Sequence, residues 1–147
     1  MQAERFEARS AQECVAMSKQ IAQHARDASM EIPFMTGPTV WKIVNEHALF
    51  LVFREMRVVG ALVMLKLPTL GEAIDCRLEW PIVLSNDPDV GTISQLLIKR
   101  AIDEAARWGA RMIDVTCNSG EVELARLYRE LSFSRLNAVD LRYTFGA

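Results

Sequence analysis

The fold is decided by residues 91–133, GTISQLLIKRAIDEAARWGARMIDVTCNSGEVELARLYRELSF, read as a helix, a strand and a second helix. In Gly91–Trp108 the apolar residues Ile93, Leu97, Ile98, Ala101, Ile102, Ala105 and Trp108 recur at helical spacing, and Gly109 suits the left-handed residue that closes a helix. Arg111–Thr116, with its Met112-Ile113-Asp114-Val115 core, predicts a largely buried strand. Glu121–Leu131 predicts a short helix with Leu124, Leu127, Tyr128 and Leu131 on one side. The long helix starts at a glycine just after the β-rich segment Ala73–Ser85, so its free N–H groups and its dipole point outward as a ready anion site. Tyr128, near the end of the second helix, is a candidate proton donor for that neighbourhood.

Upstream, Phe6–Arg9 is a candidate strand. Ser10 with Glu13 makes a capping box, behind which Cys14, Met17, Ile21, Ala25 and Ala28 keep helical spacing. Residues 30–38 hold two prolines and a glycine and cannot be one regular element. Val40–Asn45 fits a strand or a helical turn equally. Ala48–Phe53 and Val58–Lys66 are apolar, β-branched runs joined by Arg54-Glu55-Met56-Arg57 and read as a hairpin, with Gly60 marking a bulge or a close backbone approach. After the break at Pro68–Gly71 comes a strand over Ala73–Leu84, where Pro81 argues for an edge position or a bulge. Leu141–Phe145 closes the sheet. The order β-α-β-β-β-α-β-α-β implies an α/β fold with a mixed sheet covered by helices, in a single domain over residues 1–147.

Composition narrows the function. A formal net charge of −2, with scattered arginines and no basic block, gives no reason to expect nucleic acid or an anionic membrane. Cys14, Cys76 and Cys117 are odd in number and far apart, and His24 and His47 are the only histidines, so neither a zinc site nor a disulfide framework is expected. His24 falls on the exposed side of the first helix pattern, and His47 in a turn. Without a signal-like or membrane-length apolar run, the protein is expected in the cytoplasm.

Val58-Val59-Gly60-Ala61-Leu62-Val63, Gly91–Leu97 and Leu127–Phe133 together resemble the GCN5-related N-acetyltransferase (GNAT) family, and in element order the likeness covers nearly the whole chain. The resemblance implies a mostly antiparallel sheet with helices on both faces and splayed central strands. It also implies that acetyl-CoA lies in the gap, with strand backbone around Val83 bonding its pantetheine arm. The pyrophosphate is expected on the backbone of Val90, Gly91, Thr92 and Ile93, helped by the hydroxyl of Thr92 or Ser94. Gly91 falls on the first glycine of the family's Arg/Gln-x-x-Gly-x-Gly/Ala loop, but Pro88 stands where arginine or glutamine is usual and Ile93 replaces the second small residue. Asp87 and Asp89 place negative charge beside the docking diphosphate, a repulsion of about 1 kcal/mol each, so a weakened affinity is expected.

Tyr128 matches the tyrosine of the family's Leu-Tyr-x-x-Leu-Gly-Phe segment, with Ser132 in place of glycine, and is expected to protonate the departing thiolate. The alternative is a core tyrosine with its hydroxyl at the rim. Glu79, beside Trp80, is the candidate general base; an ion pair with Arg77 would spoil it. Asn118 matches an asparagine that contacts CoA in the family, or caps a helix together with Glu121. Cys117 reads as a buried thiol. The expected activity is acetyl transfer from acetyl-CoA to a primary amine, small molecule or protein, entering over Trp41, Glu79 and residues 30–38. The competing reading is a catalytically inactive binding or assembly module, such as a phage-encoded virion component. It would contact a protein partner or a second copy in a homodimer, through the apolar residues around Met30-Glu31-Ile32-Pro33-Phe34-Met35. A CoA-binding sensor without transfer is the third.

Overall fold

The computed structural model of the chain describes residues 1–30, 32, 35–118, 120–136 and 140–146. The elements are β1 (Ala3–Arg5), α1 (Ala11–Asp27), α2 (Gly37–Glu46), β2 (Ala48–Arg54), β3 (Arg57–Pro68), β4 (Ile74–Val83), α3 (Val90–Arg107), β5 (Ala110–Thr116), α4 (Val122–Glu130), β6 (Ser134–Arg135) and β7 (Asp140–Thr144). They form one sheet in the order β1-β2-β3-β4-β5-β7-β6. Among the described residues only the β4–β5 pair is parallel, and α3 is the crossover between its strands.

Both faces of the sheet are covered, which explains the unbroken apolar run of β2. Ala48, Phe50 and Val52 enter a core with Leu97, Ile98, Ala101 and Tyr128 of α3 and α4, whereas Leu49 and Leu51 enter a second core with Cys14, Ile21, Val40 and Ile43 of α1 and α2. Gly60 of β3 makes the α3 contact possible. A Cβ there would lie 2.4 Å from Ile93 Cγ2 and 3.1 Å from Leu97 Cδ1, so only glycine lets the first turns of α3 rest on the sheet. The pairing also shifts at this point, from Val52↔Gly60 to Phe53↔Val58, so Gly60 marks a bulge as well as a close approach.

Three local expectations change. The first strand is Ala3–Arg5, not residues 6–9, because the chain turns after Phe6 toward the cap at Ser10, whose Oγ accepts from the Glu13 amide at 3.2 Å. The ambiguous segment at Val40–Asn45 is helical: Thr36 caps α2, Pro38 sits in its first turn, and Val40 and Ile43 are buried one turn apart. β4 is interior to the sheet, so Pro81 marks a bulge and not an edge. Met30, Ile32 and Met35 pack against the second core, while Glu31, Pro33 and Phe34 lie outside the described residues.

Candidate functional site

β4 carries one residue too many for its partner. Val63 pairs with Glu79 but Ala61 with Ile82, so Trp80 and Pro81 together stand opposite Leu62. Trp80 has φ +51°, a conformation costly for an aromatic residue, and Pro81 has no N–H to lose from the ladder. β5 stays beside β4 only as far as Leu78↔Val115 and then continues along β7. The two parallel strands therefore part where the bulge begins.

The parted ends open into a cleft of about 750 Å³. One wall is Pro81, Val83 and Ser85; the floor is Val90, Gly91, Thr92, Ser94 and Gln95 at the mouth of α3; the far wall is the side of α4, with Met30 at the rim. Among the first amides of α3, Val90 N–H bonds the Asp87 carbonyl at 3.1 Å and Ile93 N–H bonds the Asp89 carbonyl at 2.8 Å. Gly91 and Thr92 are left, among the described residues, as the amides without a backbone acceptor at the mouth. A Cβ on Gly91 would meet nothing within 4 Å, so the space beside this residue is open. The size and the concave lining suit an organic ligand; the α3 amides favour an anionic group at their end, while Glu121, Glu123 and Glu130 outnumber Arg126 on the α4 side.

The structure thus brings Val83, Val90, Gly91, Thr92 and Ser94 together and sets other candidates apart. Ile93 faces inward: it is fully buried against Gly60, and its amide is already bonded within the helix. Asn118 lies before α4, where its N–H donates to Glu121 Oε2 at 2.8 Å and its carbonyl accepts from Glu121 N–H at 2.9 Å. The pair therefore closes a turn, and the helix cap is Glu121 itself. The carboxylate of Glu79 accepts from Arg77 Nε at 2.8 Å, the ion pair that stands against its use as a base. Neither Glu79 nor Arg77 is among the residues lining the cleft.

Tyr128 is fully buried, edge-on to Phe133 at 5.0 Å, and among the described residues its hydroxyl has no hydrogen-bond partner. Burial holds this phenol well above its ordinary value, and Cys117 and Glu121 add to the effect. Its oxygen is enclosed in the core, not at the rim. Cys117 is itself buried, and burial pushes its thiol up to about 11, which makes it a poor nucleophile.

Two features were not legible in the sequence. His24 is buried on the inner side of α1, where Nε2 sits 3.0 Å from the Ile82 carbonyl just past the bulge. This corrects the exposed position expected from spacing; helical periodicity cannot see that β4 reaches under the last turn of α1. Arg54, at the end of β2, forks onto Asp87 at 2.9 and 3.1 Å and reaches Asp89 at 2.7 Å. The Arg54 hydrogen bonds hold the Asp87 carboxyl below its usual range despite burial. The two aspartates therefore do not face the cleft as free charges.

Among the described residues no group of three or more His, Cys, Asp and Glu is placed to hold a metal, and no helix is long and apolar enough to cross a membrane. No family model and no curated protein matches the sequence. Solved structures do match. An aminoglycoside 6'-acetyltransferase type Ii superposes with TM-score 0.76 at 16% identity, over 98% of this chain and 97% of that one. The fold is that of the GNAT acetyltransferases. Arabidopsis thaliana NAA60 in complex with acetyl-CoA matches this GNAT fold with TM-score 0.75 at 11% identity, over 99% and 98% of the two chains. The NatC complex bound to Gag peptide and CoA matches it at 0.72 and 16%, over 99% of each chain. At such identities the likeness lies in the backbone path.

Proposed function

We propose that the protein is an N-acetyltransferase that moves an acetyl group from acetyl-CoA to a primary amine by direct attack. The observation that carries the reading is the cleft where β4 and β5 part, with the Gly91 and Thr92 amides open at one end. The presence of acetyl-CoA and CoA in structures of the same fold supports the choice of ligand. A thioester supplies an acyl carbon to which the amine nitrogen bonds while the C–S bond breaks and the sulfur takes a proton.

The Gly91 and Thr92 amides would bind the diphosphate, with the Thr92 or Ser94 hydroxyl beside them, and the β4 backbone near Val83 would align the extended arm. Tyr128 is the proposed proton donor. Its enclosure keeps the phenol protonated, and its oxygen has no partner among the described residues; because Tyr128 does not line the cleft, this role requires the packing of α4 to open for the sulfur. Glu79 stays with Arg77 and has no part in the proposal. The amine acceptor, small molecule or peptide, would approach from the α2 side, where Trp41 is exposed.

The enclosed Tyr128 and the paired Glu79 also favour a second reading, a fold retained for binding without turnover. Titration calorimetry with acetyl-CoA, run beside an acetylation assay on a panel of amines, separates the two. Binding near or below about 100 μM that is lost on Gly91→Phe, together with product, supports the transferase. Binding without product supports the binding module. Absence of binding at about 1 mM removes acetyl-CoA from the account.

A further inference from the structure

Asp87 and Asp89 stand at the mouth of α3, where carboxylates stabilise the helix but compete with any anionic ligand for the same field. Asp87 is nearly enclosed, with 5% of its side chain exposed, and it organises the loop: its Oδ1 accepts from the Asp89 amide at 2.8 Å and its carbonyl from the Val90 amide at 3.1 Å. Both carboxylates converge on Arg54, which arrives from the β2–β3 hairpin over thirty residues earlier in the chain. Arg54 belongs to neither the cleft lining nor the core, yet it makes three charge-assisted bonds to this loop. With two carboxylates against one guanidinium, the loop carries a residual formal charge of about −1 where −2 would otherwise face the ligand.

We propose that Arg54 is a positioning residue for the anion-binding mouth of α3: it clamps the loop of Asp87 and Asp89 to the β2–β3 hairpin and draws their charge away from the Gly91 and Thr92 amides. The electrostatic half of this inference rests on the acetyl-CoA reading above; the clamping half does not.

Charge and shape are separable by mutation. Arg54→Met should weaken acetyl-CoA binding about tenfold at low ionic strength, with the loss shrinking as salt screens the half-exposed Asp89. The triple change Arg54→Met, Asp87→Asn, Asp89→Asn should recover affinity to within about threefold, which a purely structural role for Arg54 would not allow. Asp89→Asn alone, a change at a half-exposed position, should bind acetyl-CoA about threefold more tightly than the parent. Equal loss in the single and triple variants at every salt concentration, or an unchanged affinity in both Arg54→Met and Asp89→Asn, overturns the electrostatic role. Hydrogen exchange tests the clamp without ligand. In Arg54→Met the Asp89 and Val90 amides should exchange at least tenfold faster, and unchanged exchange overturns the clamp. Should the parent protein fail to bind acetyl-CoA at all, the transferase reading falls with the electrostatic role, and hydrogen exchange alone decides the clamp.

Discussion

At Tyr128 the chain buries a phenol whose oxygen has no partner among the described residues, a cost of about 1–3 kcal/mol for an unsatisfied buried group. A residue kept for packing alone would be better as phenylalanine. Tyr128→Phe is therefore expected to leave the thermal midpoint equal or higher. Under the proposed role it should lower turnover about 100-fold or more while acetyl-CoA affinity holds. Thermal unfolding and steady-state kinetics on one preparation check both halves, and unchanged turnover removes Tyr128 from the chemistry. The Glu55-Met56 turn is the opposite case, strain at a site the proposed chemistry does not use. Both residues have positive φ (+48° and +64°) in a two-residue hairpin loop, where Asn-Gly is the favoured pair, and Met56 is 91% exposed. Replacing Glu55-Met56 with Asn-Gly should stabilise the fold by about 1 kcal/mol, a rise of roughly 2–4 °C in Tm, with acetyl-CoA binding unaffected.

Among the elements, β3 and α3 decide whether the cleft has a floor. Gly60 lets Ile93 and Leu97 approach the sheet, and that approach seats the first turn of α3 between β4 and α4. Gly60→Ala would drive a methyl into Ile93, at a cost of about 1–3 kcal/mol from overpacking. Because the displaced residue lies in the first turn, acetyl-CoA affinity should fall further than stability alone predicts. Adding Ile93→Ala to that variant should restore part of the affinity by freeing the space. Urea unfolding and calorimetry on the single and double variants test the coupling. The bulge works with this contact: Trp80 and Pro81 end the pairing of β4 with β5, and α3 provides the amides at the gap.

For the whole molecule, two enclosed carboxylates set the acid limit of stability. Burial alone would raise the Glu104 carboxyl, but the Arg100 hydrogen bond and the charges of Arg5, Arg100 and Arg107 outweigh it and hold it below its ordinary value of 4.5. Asp87 is held below its ordinary 3.8, chiefly by its Arg54 hydrogen bonds. Both groups release protons more readily in the folded chain, so their contribution is fully present above those ordinary values and is lost as pH falls through the lower folded ones. Urea unfolding should show stability falling below about pH 4.5, and Glu104→Gln should flatten part of that fall. At pH 7 the same variant should be about 1–2 kcal/mol less stable, because Arg5, Arg100 and Arg107, all partly exposed, would lose their shared carboxylate. Local chemistry in the sequence was enough for α1, α3 and α4, the hairpin, the break at Pro68–Gly71 and the family likeness, since capping, periodicity and turn residues act within a few positions; it left α2 undecided. The placing of Gly91 and Thr92 at a helix start and of Val83 on a strand was legible for the same reason, since each element's type is set locally. Contacts across the fold were not. The reach of Arg54 to Asp87 and Asp89, the turn of His24 inward to Ile82 and the enclosure of Tyr128 join residues far apart in the chain. The positions of such partners follow from how both sheet faces are packed, and packing is a property of the assembled chain.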